Sequence, residues 1–244
     1  MVARPIILLD NGGVMNDNQL CGEQWPPLVG EFFAPRLGGT VSAWADANRM
    51  VIQHILERAN WLRRTQTSSD YASFQRRYWL DWLGGMAQLV GVSLPSDEEC
   101  IQLSRQAEDY VTLRVRSAFP GVVEAIQYLH AQGYSLHTAS GEASIHLAPC
   151  LEVMGVRHCF GQLYGADLLN TFKEGPEYYR QLFADLQVVP ADTLVVDDRP
   201  DALAWARSFG ARTVLVGPSA GVSSGTMCIS SLAELPALLQ QGIE

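Results

Sequence analysis

Pro5-Ile6-Ile7-Leu8-Leu9-Asp10-Asn11-Gly12-Gly13 is a short apolar run that ends in an acid and then two glycines. Apolar on both faces, it reads as a central strand of a parallel sheet, since such strands are covered by helices on both sides. Thr193-Leu194-Val195-Val196-Asp197-Asp198 repeats the design. Tyr134–Ser140 and Phe160–Tyr164 are weaker strand candidates, and Thr213–Val216 and Met227–Ile229 close the predicted sheet. Helical patterns fall between them. Val122–Gln132 stops at Gly133, Ala143–Met154 at Gly155, Pro176–Leu186 ahead of Pro190, and Asp201–Phe209 at Gly210. Alternation of strand and helix across residues 120–240 predicts an α/β fold: a three-layer, Rossmann-like parallel sheet with right-handed crossovers.

Residues 16–118 have a different texture. They show no strand alternation and carry helical patterns over roughly Ser42–Arg64, Ser69–Val90 and Ser96–Arg116, with five of the six tryptophans: Trp25, Trp44, Trp61, Trp79 and Trp82. The first strand is thus separated from the others by a long helical stretch. The expected organisation is a core domain of residues 1–15 and 119–244 with an all-helical cap domain, 16–118, inserted between them.

Composition narrows the function. The chain has 244 residues, 48% of them apolar, and a net charge of −9. It offers no run of about 18 apolar residues, so no membrane partner is expected. Met1–Asp10 is too short and too acidic at its end for a secretory signal. Net negative charge argues against nucleic acid, which needs clustered cations, but not against a small phosphorylated substrate, because local charge can oppose the average. Five widely spaced cysteines (21, 100, 150, 159 and 228) without a Cys-x-x-Cys pair suit reduced thiols in a cytoplasmic protein. Of 17 basic residues only Lys173 is a lysine.

In open α/β sheets, ligands bind beyond the carboxyl ends of the strands. Asp10, Asp197 and Asp198 would meet there. A pair of such charges 4 Å apart repels by about 4 kcal/mol at an effective dielectric near 20, so the cluster must protonate, find cations or bind a metal. Ligands that are all oxygen favour Mg2+.

Four motifs now stand in order: Ile7–Val14, with Asp10, Gly12 and Gly13; Leu136-His137-Thr138-Ala139-Ser140; Phe172-Lys173-Glu174-Gly175-Pro176-Glu177-Tyr178-Tyr179; and Val195–Pro200, followed by Ala204 to Gly210. In this order and spacing the chain resembles the haloacid dehalogenase-like hydrolase superfamily, in the branch with a helical cap after the first motif. The resemblance spans residues 5–15 and about 118–217. It implies a Mg2+-dependent phosphohydrolase of a small phosphorylated metabolite, with Asp10 as nucleophile forming an aspartyl-phosphate. It also implies that Asp10, the Gly12 carbonyl and Asp198 bind the metal, with Asp197 acting close by. Thr138 would hydrogen-bond a phosphoryl oxygen, and Lys173 would neutralise Asp10 and the transferring group. A compact ammonium suits that point contact better than an arginine fork.

One position departs from the pattern. Phosphatases of the family usually carry a second aspartate two residues after the nucleophile, where this chain has Gly12. The departure keeps two other readings in play: a metal-independent haloacid dehalogenase, and a binding or regulatory protein with weak catalysis. Asp17 lies past the strand and is not expected to replace the missing acid. His137, His158-Cys159 and Arg199 are expected to be structural. Arg63-Arg64 and Arg76-Arg77 read as a solvated face, and the tryptophans as core. Monomer and homodimer remain equally compatible with the sequence.

Overall fold

The computed structural model describes residues 4–217 and 227–241. Met1–Ala3, part of the segment read against a secretory signal, lies outside the described residues. The chain divides into two compact units, one of residues 1–18 and 117–244 and the other of 19–116.

The first unit is built on a six-stranded parallel sheet of order β3-β2-β1-β4-β5-β6. Its strands are β1 Ile6–Leu9, β2 Leu136–Ala139, β3 Phe160–Tyr164, β4 Thr193–Asp197, β5 Arg212–Val216 and β6 Met227–Ile229. Strand residues alternate between two cores. Ile7, Leu9, Leu194 and Val196 pack with Ile126 and Leu129 of α6 (Val122–Ala131) and Leu147 and Leu151 of α7 (Ser144–Val153). Leu8 and Val195 face the other way. They pack with Tyr178, Tyr179 and Leu182 of α8 (Pro176–Leu186) and Ala202 and Ala206 of α9 (Pro200–Ser208). This is the predicted three-layer arrangement. The sequence order of the strands reverses at β1, whose neighbours are β2 and β4. Sheets of this kind place their ligand crevice at such a switch point.

The second unit is helical: α1 Asn18–Leu37, α2 Val41–Leu56, α3 Arg58–Thr67, α4 Tyr71–Val90 and α5 Asp97–Thr112. Two sequence expectations change here. Ser42–Arg64 is not one helix, because Glu57 adopts an extended backbone (φ −52, ψ 128) that separates α2 from α3. Helix α1 was not legible, since Pro26, Pro27 and Pro35 sit inside it and proline breaks helical hydrogen bonding. Burial of Val29, Phe32 and Phe33 outweighs that cost. Trp44, Trp79 and Trp82 are core residues whose indole N–H groups donate to the Gly38 carbonyl, Glu108 and Asn48 respectively. Among the described residues, no helix is long and apolar enough to cross a membrane.

Candidate active site

Register brings the acids together. Leu9 pairs with Val196 across β1 and β4, so Asp10 and Asp197, each one step further on, become neighbours at the carboxyl end of the sheet. Period-two alternation turns both toward α8 and α9, on the side of Leu8 and Val195. Asp198 follows directly. One carboxylate oxygen from each of Asp10, Asp197 and Asp198 lies within 4.8 Å of the others.

Lys173, in the loop that leads into α8, is 3% exposed. Its Nζ donates to Asp10 Oδ1 at 3.1 Å, Asp197 Oδ2 at 2.6 Å and the Ala139 carbonyl at 2.6 Å. The three donor positions of an ammonium are thereby filled. Burial opposes the Lys173 charge, but Asp10 and Asp197 outweigh it and hold the ammonium above its ordinary pKa. Burial pushes the Asp10 and Asp197 carboxyls up, against the opposing pull of Lys173. Asp198 is raised by burial and by the charge of Asp197.

The residues present fit a divalent cation. Three buried or half-buried carboxylates face one ammonium, an excess of two negative charges. The donors are all oxygen, the set that selects a hard cation such as Mg2+. Gly13 contributes a further condition. Its φ of +77 favours glycine, and a Cβ there would collide with the Asp198 carboxylate, which lies against this backbone.

Around this centre, Tyr179 donates its hydroxyl to Asp197 Oδ2 at 3.4 Å, and Tyr178 donates to the carbonyls of Ser140 and Tyr164. Asn11 donates to Glu142 Oε2 at 2.9 Å and accepts from Asn16 at 2.8 Å, which fixes the residue next to Asp10. Neither tyrosine was singled out from sequence, although both stand in the third motif.

Thr138 is fully buried in β2 and gives its hydroxyl proton to the Tyr164 carbonyl at 3.2 Å. Ser140 stands one residue past the strand end. Its N–H bonds the same carbonyl at 3.0 Å, and its Oγ accepts from the Glu142 N–H. Among the described residues the Ser140 hydroxyl has no acceptor for its own proton. Asp10 stands in the same position relative to β1, its N–H bonded to the Val196 carbonyl at 3.0 Å. That equivalence was available in the sequence, where Ser140 follows Thr138 by one strand period.

The remaining candidates have structural partners. His137 accepts from the Gln162 N–H at 3.0 Å and contacts Ser135, and burial lowers its pKa. His158 meets Cys159 Sγ and the His130 ring. The Arg199 guanidinium pairs with Asp201 and Glu174, while its backbone N–H donates to Asp197 Oδ1 at 2.9 Å. Arg64 pairs with Asp81, Arg76 with Glu98, and Arg63 donates to Asn60.

Comparison with known proteins gives the family and the fold. A model of the haloacid dehalogenase-like hydrolases matches residues 6–210. Phosphoglycolate phosphatase of Mannheimia succiniciproducens is 26% identical over 55% of this chain and 66% of that protein. The plasmid phosphoglycolate phosphatase of Cupriavidus necator is 31% identical over 52% of this chain and 57% of its own length. The chain thus spans less than two thirds of either relative. Among solved structures, L-2-haloacid dehalogenase of Xanthobacter autotrophicus superposes with a TM-score of 0.64 at 17% identity, covering 99% of this chain and 100% of that one. YfnB of Bacillus subtilis, solved bound to magnesium, gives 0.65 at 17% identity over 97% and 99% of the two chains. At these identities the structures share the fold.

Proposed function

We propose that this chain, which belongs to the haloacid dehalogenase-like hydrolase family, is a Mg2+-dependent phosphohydrolase that acts on a small phosphorylated metabolite through an aspartyl-phosphate on Asp10. The observation that carries the reading is the joint placement of Asp10, Asp197, Asp198 and Lys173 at the carboxyl ends of β1 and β4. Phosphoryl transfer asks for positioning and charge stabilisation, and this cluster supplies both. Displacement of halide from carbon needs a nucleophile but no metal, which would leave the negative charge in excess of Lys173 unmatched.

Asp10, Asp198 and the Gly12 carbonyl would hold Mg2+, with Asp197 beside them. Bound there, the ion would offset the excess negative charge and draw electron density from the phosphoryl oxygens. Lys173 orients Asp10 through the 3.1 Å contact at Oδ1 and keeps a positive charge beside the transferring group. Asp197 fixes the ammonium through the 2.6 Å contact and is itself held by the Arg199 N–H and Tyr179. The hydroxyl given to a phosphoryl oxygen would come from this end of β2. The Thr138 proton is already committed to Tyr164, so Ser140 is the better placed of the two donors.

Hydrolysis of an aryl phosphate with Mg2+, with EDTA, and by Asp10→Asn tests the reading. Activity that requires both the metal and Asp10 supports it. Turnover of a 2-haloacid in EDTA, with none on phosphates, would replace it with the dehalogenase. Loss of the nucleophile should cost about 10⁴-fold or more. The names of the relatives make 2-phosphoglycolate the first alkyl phosphate to include in the metabolite screen.

A further inference from the structure

A proton for a departing oxygen must come from an ionisable group beside the reaction centre, and the loop that follows Asp10 offers Asn11, Gly12 and Gly13. Gly12 has no side chain, and the exposed side chain of Asn18 lies beside it. A Cβ built on Gly12 would lie 2.5 Å from Asn18 Oδ1 and 3.3 Å from both Cγ and Nδ2 of Asn18. The Asn18 carboxamide therefore stands where a side chain at position 12 would begin. Asn18 belongs to the same compact unit as Asp10.

A carboxamide donates and accepts hydrogen bonds but has no proton to release. Of the other groups near Asp10, the Asp197 and Asp198 carboxylates belong to the proposed metal centre and the Ser140 hydroxyl is assigned to a phosphoryl oxygen. Lys173 is bound to two carboxylates and a carbonyl, and Tyr178 and Tyr179 give their hydroxyl protons to the Ser140 and Tyr164 carbonyls and to Asp197. Glu142 Oε2 accepts from Asn11, so that oxygen offers no proton.

Building on the phosphohydrolase reading, we infer that this site works without a general acid and selects phosphates whose leaving group departs as a stable anion: aryl, enol or acyl phosphates rather than alkyl phosphates. Asp10 Oδ forms the new bond to phosphorus, the bond from phosphorus to the leaving oxygen breaks, and its electron pair stays on that oxygen. The anion diffuses away, and an acidic leaving group needs no proton at that moment. Water then adds to the phosphorus of the aspartyl-phosphate, the bond from phosphorus to the Asp10 oxygen breaks with its electrons staying on the carboxylate, and both water protons leave on the released phosphate as H2PO4−.

The experiment is single-turnover hydrolysis of a series of aryl phosphates of rising phenol pKa, ending in an alkyl phosphate, so that product release does not flatten the comparison. Wild type, Asn18→Ala and the double variant Gly12→Asp with Asn18→Ala are compared with Asp10→Asn. The double variant clears the carboxamide and installs an acid in its place. Wild type and Asn18→Ala are expected to slow steeply as the phenol becomes less acidic. The double variant should flatten the series and raise the alkyl phosphate by about 10²-fold or more, the usual scale of general acid help.

Equal wild-type rates on aryl and alkyl phosphates, lost in Asp10→Asn, would overturn this inference and leave the phosphohydrolase reading standing. An unchanged slope in a folded double variant would also overturn it. Should that variant not fold, the wild-type slope decides alone. If no phosphate is hydrolysed in an Asp10-dependent way, both readings fall together.

Discussion

Lys173 reaches Asp10, Asp197 and the Ala139 carbonyl from a position almost closed to solvent, so its charge cannot be replaced by water. Lys173→Met would leave buried carboxylates unpaired, a defect worth about 3–5 kcal/mol. At about 2–4 °C per kcal/mol for a chain of this size, its thermal midpoint without metal should drop by about 6–20 °C. A melt within a degree of wild type would show that the pair does not hold the site. Lys173→Arg should also be inactive, because a planar fork cannot make three contacts arranged around one nitrogen. Ser140 and Thr138 separate by activity. Ser140→Ala should lower kcat/KM on an aryl phosphate by about 10-fold to 100-fold with little change in melting, while Thr138→Val, which still leaves the Ser140 N–H and the Tyr178 hydroxyl on the Tyr164 carbonyl, should change kcat/KM little. The reverse pattern would return the substrate hydroxyl to Thr138.

The elements place these residues by register and by termination. Strands β1 and β4 end within a residue of each other, and their two acids meet only because Leu9 pairs with Val196. In the helical unit, capping does similar work. Asp70 accepts from the Ser73 N–H at 2.7 Å at the start of α4, and Gly91 closes that helix with φ 79. Ser96 and Glu99 form a reciprocal capping box at the start of α5. Asp70→Ala should cost about 1 kcal/mol, read as a lower urea midpoint with an unchanged slope. No shift would mean that the packed faces of Trp79, Trp82 and Met86 alone hold the helix. Helix α4 could be read from sequence because cap, apolar face and stop signal agree, whereas α5 has the cap and the apolar face but no stop signal, and it ends at Thr112 rather than Arg116. In α1 local preference and packing disagree, and packing decided.

For the whole molecule the acid cluster sets a pH dependence. Burial and mutual repulsion hold the Asp10, Asp197 and Asp198 carboxyls above their ordinary values. Between the unfolded and folded values the native state therefore binds more protons than the unfolded chain, and stability falls as pH rises through that window. Above it the full penalty of the ionised cluster is present. A divalent cation favours the charged forms and offsets that penalty, and at a hundred times its dissociation constant it adds about 2.7 kcal/mol. Mg2+ should thus raise the thermal midpoint clearly at pH 8 and much less at pH 5. Equal shifts at the two pH values, or none at either, would count against a metal held by these carboxylates.

Short-range signals carried the core. Apolar runs ending in acids, helices stopped by glycine, and a solitary lysine between them specify a parallel sheet with acids at the carboxyl ends of its strands, because strand period and helix termination are local properties of the chain. The sequence also marked Asp10, Lys173, Asp197 and Asp198, whose charge is costly to bury without a purpose. Which groups touch was decided only by the tertiary structure. The pairing of β1 with β4 joins residues far apart in the chain, the loop before α8 fixes how far Lys173 reaches, and the strand end separates Ser140 from Thr138. The same holds for Asn18. No local rule relates it to Gly12, and only the folded backbone puts its carboxamide into the space a side chain there would need.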